Sequence, residues 1–267
     1  MIFMFGVDLG LSSLKAVQVE KGKIKKKKRI FLNEKQSIEK QIEKFLSDSF
    51  FSKAKTIALT GAYSSKVKEL KGKKLIQVNE IQAIGKGSAF FSKEKNFLAV
   101  SAGTGSCFVS VKGKKFAHIG GTAIGGKTIL GLGELILKEK EFKKIELLAE
   151  KGNSKKVDLM LFDVYEKGIG LLKENVPIAH FGNLSSRKKE DLSAGIFNLV
   201  CQGISIPALF AERTLKHNKI VFSGSLSESK LFKKQFCECI NLFSKKTQPV
   251  FLKEAGFVSA IGAALIN

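Results

Sequence analysis

The sequence predicts an α/β fold of two similar lobes with a nucleotide-binding cleft between them. A β-hairpin that carries a glycine-rich polar loop, followed by helical segments and a strand that stops at glycine, occurs twice along the 267 residues. A repeated order of elements of this kind indicates an internal duplication. A chain of this length with 44% hydrophobic residues can bury the core of one large domain or of two small lobes. We expect a first lobe over residues 1–85 and a second lobe over residues 86–267.

The first lobe begins with a hairpin that turns through Gly10. Residues 3–8 are an apolar run typical of a buried strand, and residues 14–20 alternate apolar and polar side chains with a period of two. The four lysines and one arginine at residues 25–29 are interpreted as a basic, solvated turn.

A helix and a strand complete the first lobe. Residues 56–61 are an apolar run that ends at glycine, which predicts a strand. Residues 38–50 predict a helix because their apolar side chains recur on one helical face, at Ile38, Ile42, Phe45 and Leu46.

The second lobe repeats this plan. Residues 97–102 predict a strand that leads into the Gly103 loop, and residues 108–111 return as its partner. Helical segments are expected over much of residues 129–215. Residues 219–224 predict a strand that closes the lobe and again ends at glycine.

The formal charge of +22 raises the question of nucleic-acid or membrane binding. Only three of the 46 basic residues are arginines, whereas base edges and phosphates favour the bidentate arginine side chain. Outside residues 25–29 the lysines are spread along the chain, which indicates a solvated surface that attracts anionic substrates. We expect no nucleic-acid partner.

No secretion or membrane insertion is expected. The first residues lack a basic region and an apolar segment of signal-peptide length. The uncharged stretch at residues 192–211 contains several polar side chains and predicts a buried core helix rather than a span. Cys107, Cys201, Cys237 and Cys239 lack zinc-site spacing and are interpreted as reduced thiols. We therefore expect a cytoplasmic protein without a membrane partner.

Three loops rich in glycine and hydroxyl side chains follow short apolar runs. They are residues 8–15, residues 103–106 and residues 121–128, and the last also satisfies the P-loop pattern G-x-x-x-x-G-K-[ST]. A P-loop needs a feeding strand and a magnesium-binding strand, but residues 116–119 are short and residues 157–164 have helical spacing. The favoured interpretation is a nucleotide that all three loops hold.

The ordered motifs of the chain resemble those of type II pantothenate kinases. The similar segments are Asp8-Leu9-Gly10, Val78-Asn79-Glu80, Gly103-Thr104-Gly105, residues 120–132, His180-Phe181-Gly182, residues 220–225 and residues 254–263. Each motif alone is weak, but their order along nearly the whole chain is specific. The resemblance implies a two-lobed actin-like (ribonuclease H-like duplicated) ATPase fold, usually as a homodimer. It also implies phosphorylation of pantothenate by ATP with Mg²⁺, the first step of coenzyme A biosynthesis.

The resemblance implies roles for individual residues. Glu80 matches the catalytic base that takes the proton from the attacking hydroxyl. Asp8 matches a magnesium ligand that acts through water. The expected ATP contacts are Asp8, Leu9, Gly10, Leu11, Ser12, Ser13, Leu14, Lys15, Thr104, Gly126, Lys127, Thr128, Ile129, Leu130, Phe142 and Ser225. The expected acceptor contacts are Gly103, Gly105, Cys107 and His118.

Several of these residues also have a structural interpretation. Asp8 suits a turn cap, Glu80 a helix N-terminus, and Thr104 a plain hairpin turn. Phe142 suits a core aromatic as well as a residue that stacks on adenine, and Ser225 suits a helix N-cap. Both interpretations of each residue stay open at this stage.

Three residues depart from the pattern of the resembled family. Lys127 stands where glycine is common, His118 where an arginine faces the pantothenate carboxylate, and Cys107 where a serine occurs. A neutral histidine cannot form the bidentate contact of arginine, so another small hydroxylated acceptor is an alternative substrate. An ATP-driven activator of a partner enzyme, similar to the dehydratase activases, and a non-catalytic nucleotide sensor are further alternatives.

Overall fold

Two five-stranded sheets with the same plan organise the chain. The computed structural model describes residues 4–165 and 174–266. Phe3 of the first predicted strand and the part of the predicted helical region at residues 166–173 lie outside the described residues. Each sheet has three antiparallel strands in sequence order, continued by two parallel strands. The predicted duplication is therefore present.

The first sheet has the strand order β3-β2-β1-β4-β5. Its strands are β1 (Met4–Leu9), β2 (Ser13–Glu20), β3 (Lys23–Phe31), β4 (Thr56–Thr60) and β5 (Lys74–Gln77). Helix α1 (Ile38–Leu46) buries its apolar face against this sheet. The predicted helix over residues 38–50 is thus shorter than expected, because Asp48 caps a separate 3₁₀ turn at Ser49–Phe51.

The second sheet has the strand order β12-β11-β6-β7-β8. The later strands of the chain are β6 (Asn96–Ala102), β7 (Ser106–Lys112), β8 (Lys115–Thr122), β9 (Leu159–Met160), β10 (Pro177–Ala179), β11 (Lys219–Ser223) and β12 (Gln248–Phe251). Within the described residues, strands β9 and β10 form a separate two-stranded sheet. The second sheet and its helices surround a core of buried aliphatic and phenylalanine side chains.

Six further helices complete the described structure. They are α2 (Glu80–Ser92), α3 (Gly126–Leu132), α4 (Phe142–Lys151), α5 (Lys189–Leu215), α6 (Lys230–Phe243) and α7 (Val258–Ala264). A π-helical turn at Gly133–Leu137 extends α3. Among the described residues, α5 is the one helix long and apolar enough to cross a bilayer, and 61% of its apolar window is buried. As predicted for residues 192–211, α5 contributes to the core of the second lobe.

Helices α2 and α7 pack against each other and connect the two sheets. Helix α7 covers β1, β2 and β4, whereas α2 contacts β6, β7, β8 and β11. The two helices approach so closely that an added Cβ at Gly262 would lie 1.8 Å from the Ala83 carbonyl oxygen. The predicted lobe boundary at residue 85 lies within α2 and stays a prediction.

Three further local predictions are wrong. The strand that feeds the third polar loop is not short, because pairing with β7 extends β8 over Lys115–Thr122. The basic run at residues 25–29 is part of strand β3 rather than a turn, because an edge strand can keep lysine side chains solvated while its backbone pairs with β2. Residues 157–164 do not form a helix. Strand β9 pairs with β10, and a 3₁₀ turn follows at Leu161–Asp163.

Candidate nucleotide and phosphoryl-transfer site

A row of four polar side chains crosses the first sheet where its parallel strands end. Strand register places Thr60, Asp8, Lys15 and Arg29 side by side on β4, β1, β2 and β3. The Lys15 ammonium lies 3.3 Å from Oδ2 of Asp8, and both residues are only 8% exposed. We call these four residues the polar row. Asp8 therefore has a buried ionic partner, which a simple turn cap does not require.

Glycine is required beside Asp8. Gly61 has φ of +91°, and a Cβ there would lie 2.5 Å from Oδ1 of Asp8. The loop from β1 to β2 leaves Leu11 half-exposed, while Leu9, Ser13 and Leu14 are buried in the strands. Of these predicted ATP contacts, Leu9 and Leu14 are core side chains, so only their backbone groups are available to a ligand.

The first and second polar loops meet between the lobes. The hydroxyls of Ser12 and Thr104 lie 2.8 Å apart, although 92 residues separate them in sequence. Thr104 thus does more than turn a hairpin. The two hydroxyls mark the position where loops from the two lobes meet.

The second loop is also hydrogen-bonded to the third. The N–H groups of Gly126 and Lys127 donate to the carbonyls of Gly103 and Thr104, at 2.8 and 3.2 Å. A Cβ at Gly125 would lie 2.4 Å from the Thr104 carbonyl oxygen, so glycine is needed for this approach. The first N–H groups of α3 are therefore used within the protein. This differs from a P-loop, in which such groups cradle phosphate.

The remaining residues of the third loop serve the protein itself. The Thr128 hydroxyl accepts a hydrogen bond from the Gly125 N–H at 3.1 Å, which caps α3. Ile129 is fully buried, and Leu130 packs on the core of the second lobe. The Lys127 ammonium forms an ion pair with Glu34 of the first lobe and lowers the pKa of that carboxyl by hydrogen bonding.

Glu80 begins α2 directly beyond β5. The helix cap comes from Asn79, whose side chain accepts from the Ile81 N–H at 2.9 Å, and Glu80 is the acidic residue of the first turn, a position that the helix dipole also favours. Partial desolvation raises the pKa of Glu80, the charge of Asp8 raises it further, and Lys15 opposes the increase. Glu80 consequently shares its surroundings with the polar row.

Of the acceptor-side residues, Gly103 and Gly105 lie in the loop from β6 to β7, whereas Cys107 lies on β7 and His118 on β8. Burial, together with the charge of Glu80, raises the pKa of Cys107 to about 11, so this thiol is protonated at neutral pH. His118 is exposed on the edge strand β8 and pairs with Val109. Because paired residues share a face, His118 lies on the same face of the sheet as Cys107. An added Cβ at Gly105 would lie 3.1 Å from the Thr122 carbonyl oxygen, so little space is left for a side chain at this position.

Ser225 and Phe142 lie on the second lobe. Ser225 begins the 3₁₀ turn Ser225–Glu228, after Gly224 with φ of +89°. The N-cap of the next helix is Ser229, so Ser225 does not have that structural role. The Phe142 ring is half-buried and lies 5.8 Å from the ring of Phe197, which supports its interpretation as a core aromatic.

Comparison with known proteins identifies the family. The model of the family described as Fumble matches residues 96–266. The chain belongs to the Fumble family. A type II pantothenate kinase of Bacillus cereus (strain G9842) is 28% identical over 222 residues, which cover 79% of this chain and 81% of the relative. The type II pantothenate kinase of Oceanobacillus iheyensis is 28% identical over 270 residues, which cover 97% of this chain and 98% of the relative. The resemblance to type II pantothenate kinases is confirmed.

Solved structures confirm the fold of this Fumble-family protein. An activator of 2-hydroxyisocaproyl-CoA dehydratase from Clostridium difficile with bound ADPNP has a TM-score of 0.68 at 15% identity, and the match covers 99% of this chain and 93% of that one. A ROK family glucokinase from Streptomyces griseus in complex with glucose and AMPPNP has a TM-score of 0.66 at 13% identity, with 98% of both chains covered. At these identities the likeness shows the two-lobed actin-like fold alone.

Sequence reasoning for this Fumble-family protein missed Arg29 of the polar row and its partner Glu228. The Arg29 guanidinium donates to both oxygens of Glu228, at 2.7 and 2.8 Å, and lies 4.6 Å from the centre of the Phe257 ring. The sequence offered one indication of this contact, an arginine within a run of lysines. Bidentate contacts to a carboxylate require the guanidinium fork, which lysine lacks.

Most of the basic strand is neutralised within the protein. Besides Arg29, the ammonium groups of Lys25, Lys27 and Lys28 contact Glu20, Glu254 and Asp48. The run at residues 25–29, which was interpreted as a solvated turn, therefore makes intramolecular ion pairs.

Proposed function

We propose that this Fumble-family protein transfers the γ-phosphoryl group of ATP to the hydroxyl of pantothenate, the first step of coenzyme A biosynthesis. The observation that carries the proposal is the convergence of Glu80, the Asp8–Lys15 pair and the joined hydroxyl loops between the lobes. The full-length similarity to type II pantothenate kinases supports the same reaction. Phosphoryl transfer requires mainly positioning and charge stabilisation, and these groups supply both.

In this proposal Glu80 is the general base. It accepts the proton of the attacking pantothenate hydroxyl as the new P–O bond forms and the bond to the ADP oxygen breaks. A pKa raised by desolvation and by Asp8 makes Glu80 a stronger base than an ordinary surface carboxylate. Lys15 offsets the negative charge of the triphosphate. One of the Ser12 and Thr104 hydroxyls donates to the other, and the hydroxyl that accepts can donate to a triphosphate oxygen.

The residues present fit a magnesium ion. Asp8 would hold it through water, because Mg²⁺ prefers one or two carboxylates and retains several waters. Asp8 and Glu80 lie close enough for the charge of Asp8 to raise the pKa of Glu80, and a bound cation would offset the negative charge of the two carboxylates. When bound with ATP, Mg²⁺ would neutralise charge on the β- and γ-phosphate oxygens.

The direct test is product formation. Purified protein with MgATP and pantothenate is expected to release ADP and to form 4'-phosphopantothenate, identified by mass spectrometry. Omission of pantothenate should reduce ADP release to the background level. ADP release that does not depend on any added acceptor would contradict the proposal.

Another small hydroxylated acceptor is the second candidate substrate. His118 is exposed on an edge strand and Cys107 carries a thiol, so neither offers the bidentate guanidinium contact that a carboxylate favours. A panel of hydroxylated acids, amides and sugars, assayed with one ADP readout, separates this candidate from pantothenate. A larger kcat/KM for another acceptor would replace pantothenate while keeping the kinase assignment.

We further propose a cytoplasmic homodimer without a nucleic-acid partner. The intramolecular pairing of the basic strand supports the absence of nucleic-acid binding. The homodimer is what the resemblance to type II pantothenate kinases implies. Light scattering of the purified protein measures the oligomeric state, and a monomer at micromolar concentration would contradict the dimer.

A further inference from the structure

The basic strand β3 ends against the part of the second lobe that carries Ser225. Arg29 on β3 and Glu228 on the Ser225–Glu228 turn join the two lobes through a bidentate contact. The Arg29 side chain is 18% exposed and that of Glu228 is 39% exposed. A Cβ at Gly256 would lie 2.0 Å from an Arg29 nitrogen, so the chain leaves space for this guanidinium.

Arg29 is also the direct neighbour of Lys15 in the polar row. Cross-strand partners of this kind have Cβ atoms roughly 5 Å apart, so two cations lie side by side. Each cation has its own carboxylate, since Lys15 pairs with Asp8 and Arg29 pairs with Glu228. Burial raises the pKa of Glu228, but the Arg29 guanidinium, the Gly256 N–H and, to the smallest extent, the charge of Lys15 together lower it. Glu228 is therefore within the electrostatic reach of Lys15.

We propose that Arg29 is a positioning residue for nucleotide binding, which holds the Glu228 carboxylate away from Lys15 and so keeps the Lys15 ammonium available to the triphosphate. The inference rests on the proposed function only in assigning Lys15 to ATP. Without Arg29, Glu228 is free to become a second anionic partner of Lys15. A second carboxylate there competes with phosphate for the same ammonium.

The choice of arginine supports this role. A lysine at position 29 would present one ammonium group and could not fix both carboxylate oxygens, whereas the guanidinium fork does so. The face of the Phe257 ring also orients the guanidinium. In a chain with 46 basic residues, of which three are arginines, this position combines bidentate pairing with an aromatic contact.

The test compares Arg29→Gln, Glu228→Gln and the double variant by direct binding of a non-hydrolysable ATP analogue and by steady-state kinetics. Arg29→Gln is expected to weaken analogue binding and to raise KM for ATP about 10-fold, with little change in KM for the acceptor. Glu228→Gln alone should bind within about twofold of wild type, and the double variant should recover most of the lost affinity.

Lys27→Gln is the matched control, because Lys27 lies on the same strand and also contacts Phe257, but pairs with Glu254. It should bind the analogue as wild type does. A double variant as weak as Arg29→Gln, or an equal loss in Lys27→Gln, would overturn the proposal.

Thermal unfolding of each variant separates positioning from a purely structural role. If Arg29→Gln does not fold, Arg29→Lys with and without Glu228→Gln repeats the comparison. Loss of the fold in both Arg29 variants would show a structural pair and overturn the proposal. Analogue binding by wild type without acceptor phosphorylation would refute the proposed function while leaving the Arg29 test intact.

Discussion

Glu80 is the residue whose chemistry depends most on its neighbours. Its carboxyl is partly desolvated and lies in the field of Asp8, and both effects raise its pKa, while Lys15 acts in the opposite direction. A base acts only when deprotonated, so the rate should fall as the pH falls through this raised pKa. The pH at which the rate falls, the acid limb of the pH profile, therefore depends on Asp8 and Lys15 of the polar row.

We expect Asp8→Asn to move the acid limb of kcat/KM to lower pH. The substitution removes a negative charge that favours protonated Glu80, so the base stays ionised at lower pH, although overall activity falls with loss of the magnesium ligand. The measurement is kcat/KM for the acceptor across the acid range in wild type and variant. An acid limb at the same pH in both proteins would mean that Glu80 is not the group whose titration limits kcat/KM.

Cys107 gives a second prediction for a single residue. Its pKa rises from an ordinary 9.0 to about 11, first through burial and then through the charge of Glu80. An increase of two pKa units leaves about 100-fold less thiolate near pH 8, so iodoacetamide should label Cys107 correspondingly slowly.

Mass spectrometry of timed labelling measures this rate, with the unfolded protein as the reference. Glu80→Gln should accelerate labelling of Cys107, because it removes the nearby negative charge. Labelling of Cys107 in the native protein at the rate of a free thiol would contradict its burial beside Glu80.

Residue types at the site were easier to predict than their partners. Asp8, Glu80 and Thr104 follow apolar runs in recognisable motifs. In the structure the charge of Asp8 acts on Glu80, and the Thr104 hydroxyl contacts the Ser12 hydroxyl of the first polar loop. Arg29–Glu228 joins residues 199 positions apart, and Lys127–Glu34 joins residues 93 positions apart. Such contacts depend on how the lobes meet, and no local pattern of residues encodes that arrangement.

Among the elements, strands were predicted well where apolar runs ended at glycine. The basic strand β3 was missed because lysine has a low strand propensity, and pairing with β2 overrides it. The sequence separated the third polar loop from a P-loop on two grounds, a short feeding strand and a helix at residues 157–164, and both are wrong. The difference from a P-loop is visible only in the structure, where the N–H groups of the third loop donate to the second loop.

The contact between α2 and α7 gives a prediction at this scale. Gly262→Ala should destabilise the protein by about 1–3 kcal/mol, because its Cβ would lie 1.8 Å from the Ala83 carbonyl oxygen and force the helices apart. Urea unfolding measures the change in the free energy of unfolding.

Gly131→Ala is the matched control for this substitution. Gly131 lies in helix α3 with no neighbouring atom within 4 Å of a built Cβ, so alanine should leave stability unchanged or raise it by up to about 1 kcal/mol. Equal effects of the two substitutions would mean that the close approach of α2 and α7 does not limit stability.

For the whole molecule, the order of elements was sufficient to predict the duplicated plan of the two sheets. Sequence order did not predict that α7, near the end of the chain, packs on the first sheet. The return of the chain to the first lobe follows from burial of small residues between α7 and that sheet. Gly6, for example, would place a Cβ 2.0 Å from the Ala260 carbonyl oxygen.

The net charge of +22 also acts at the scale of the molecule. A positive field concentrates anionic ATP near the protein, and salt screens it within about 3 Å at 1 M ionic strength. KM for ATP should therefore rise severalfold between low and high sodium chloride. A neutral osmolyte is the control, and a KM that does not change with salt would show that the field has no part in ATP binding.

The central claim is that Glu80 is the base of an ATP-dependent pantothenate phosphorylation between the lobes. The most direct measurement is turnover of ATP and pantothenate by Glu80→Gln, with exposed Glu69→Gln as the matched control and wild type as the reference. Glu80→Gln should remain folded, because glutamine removes a partly desolvated charge, and should lose roughly 10²–10⁴-fold in kcat. Glu69→Gln should retain full activity. Turnover by Glu80→Gln at the wild-type rate would contradict the claim.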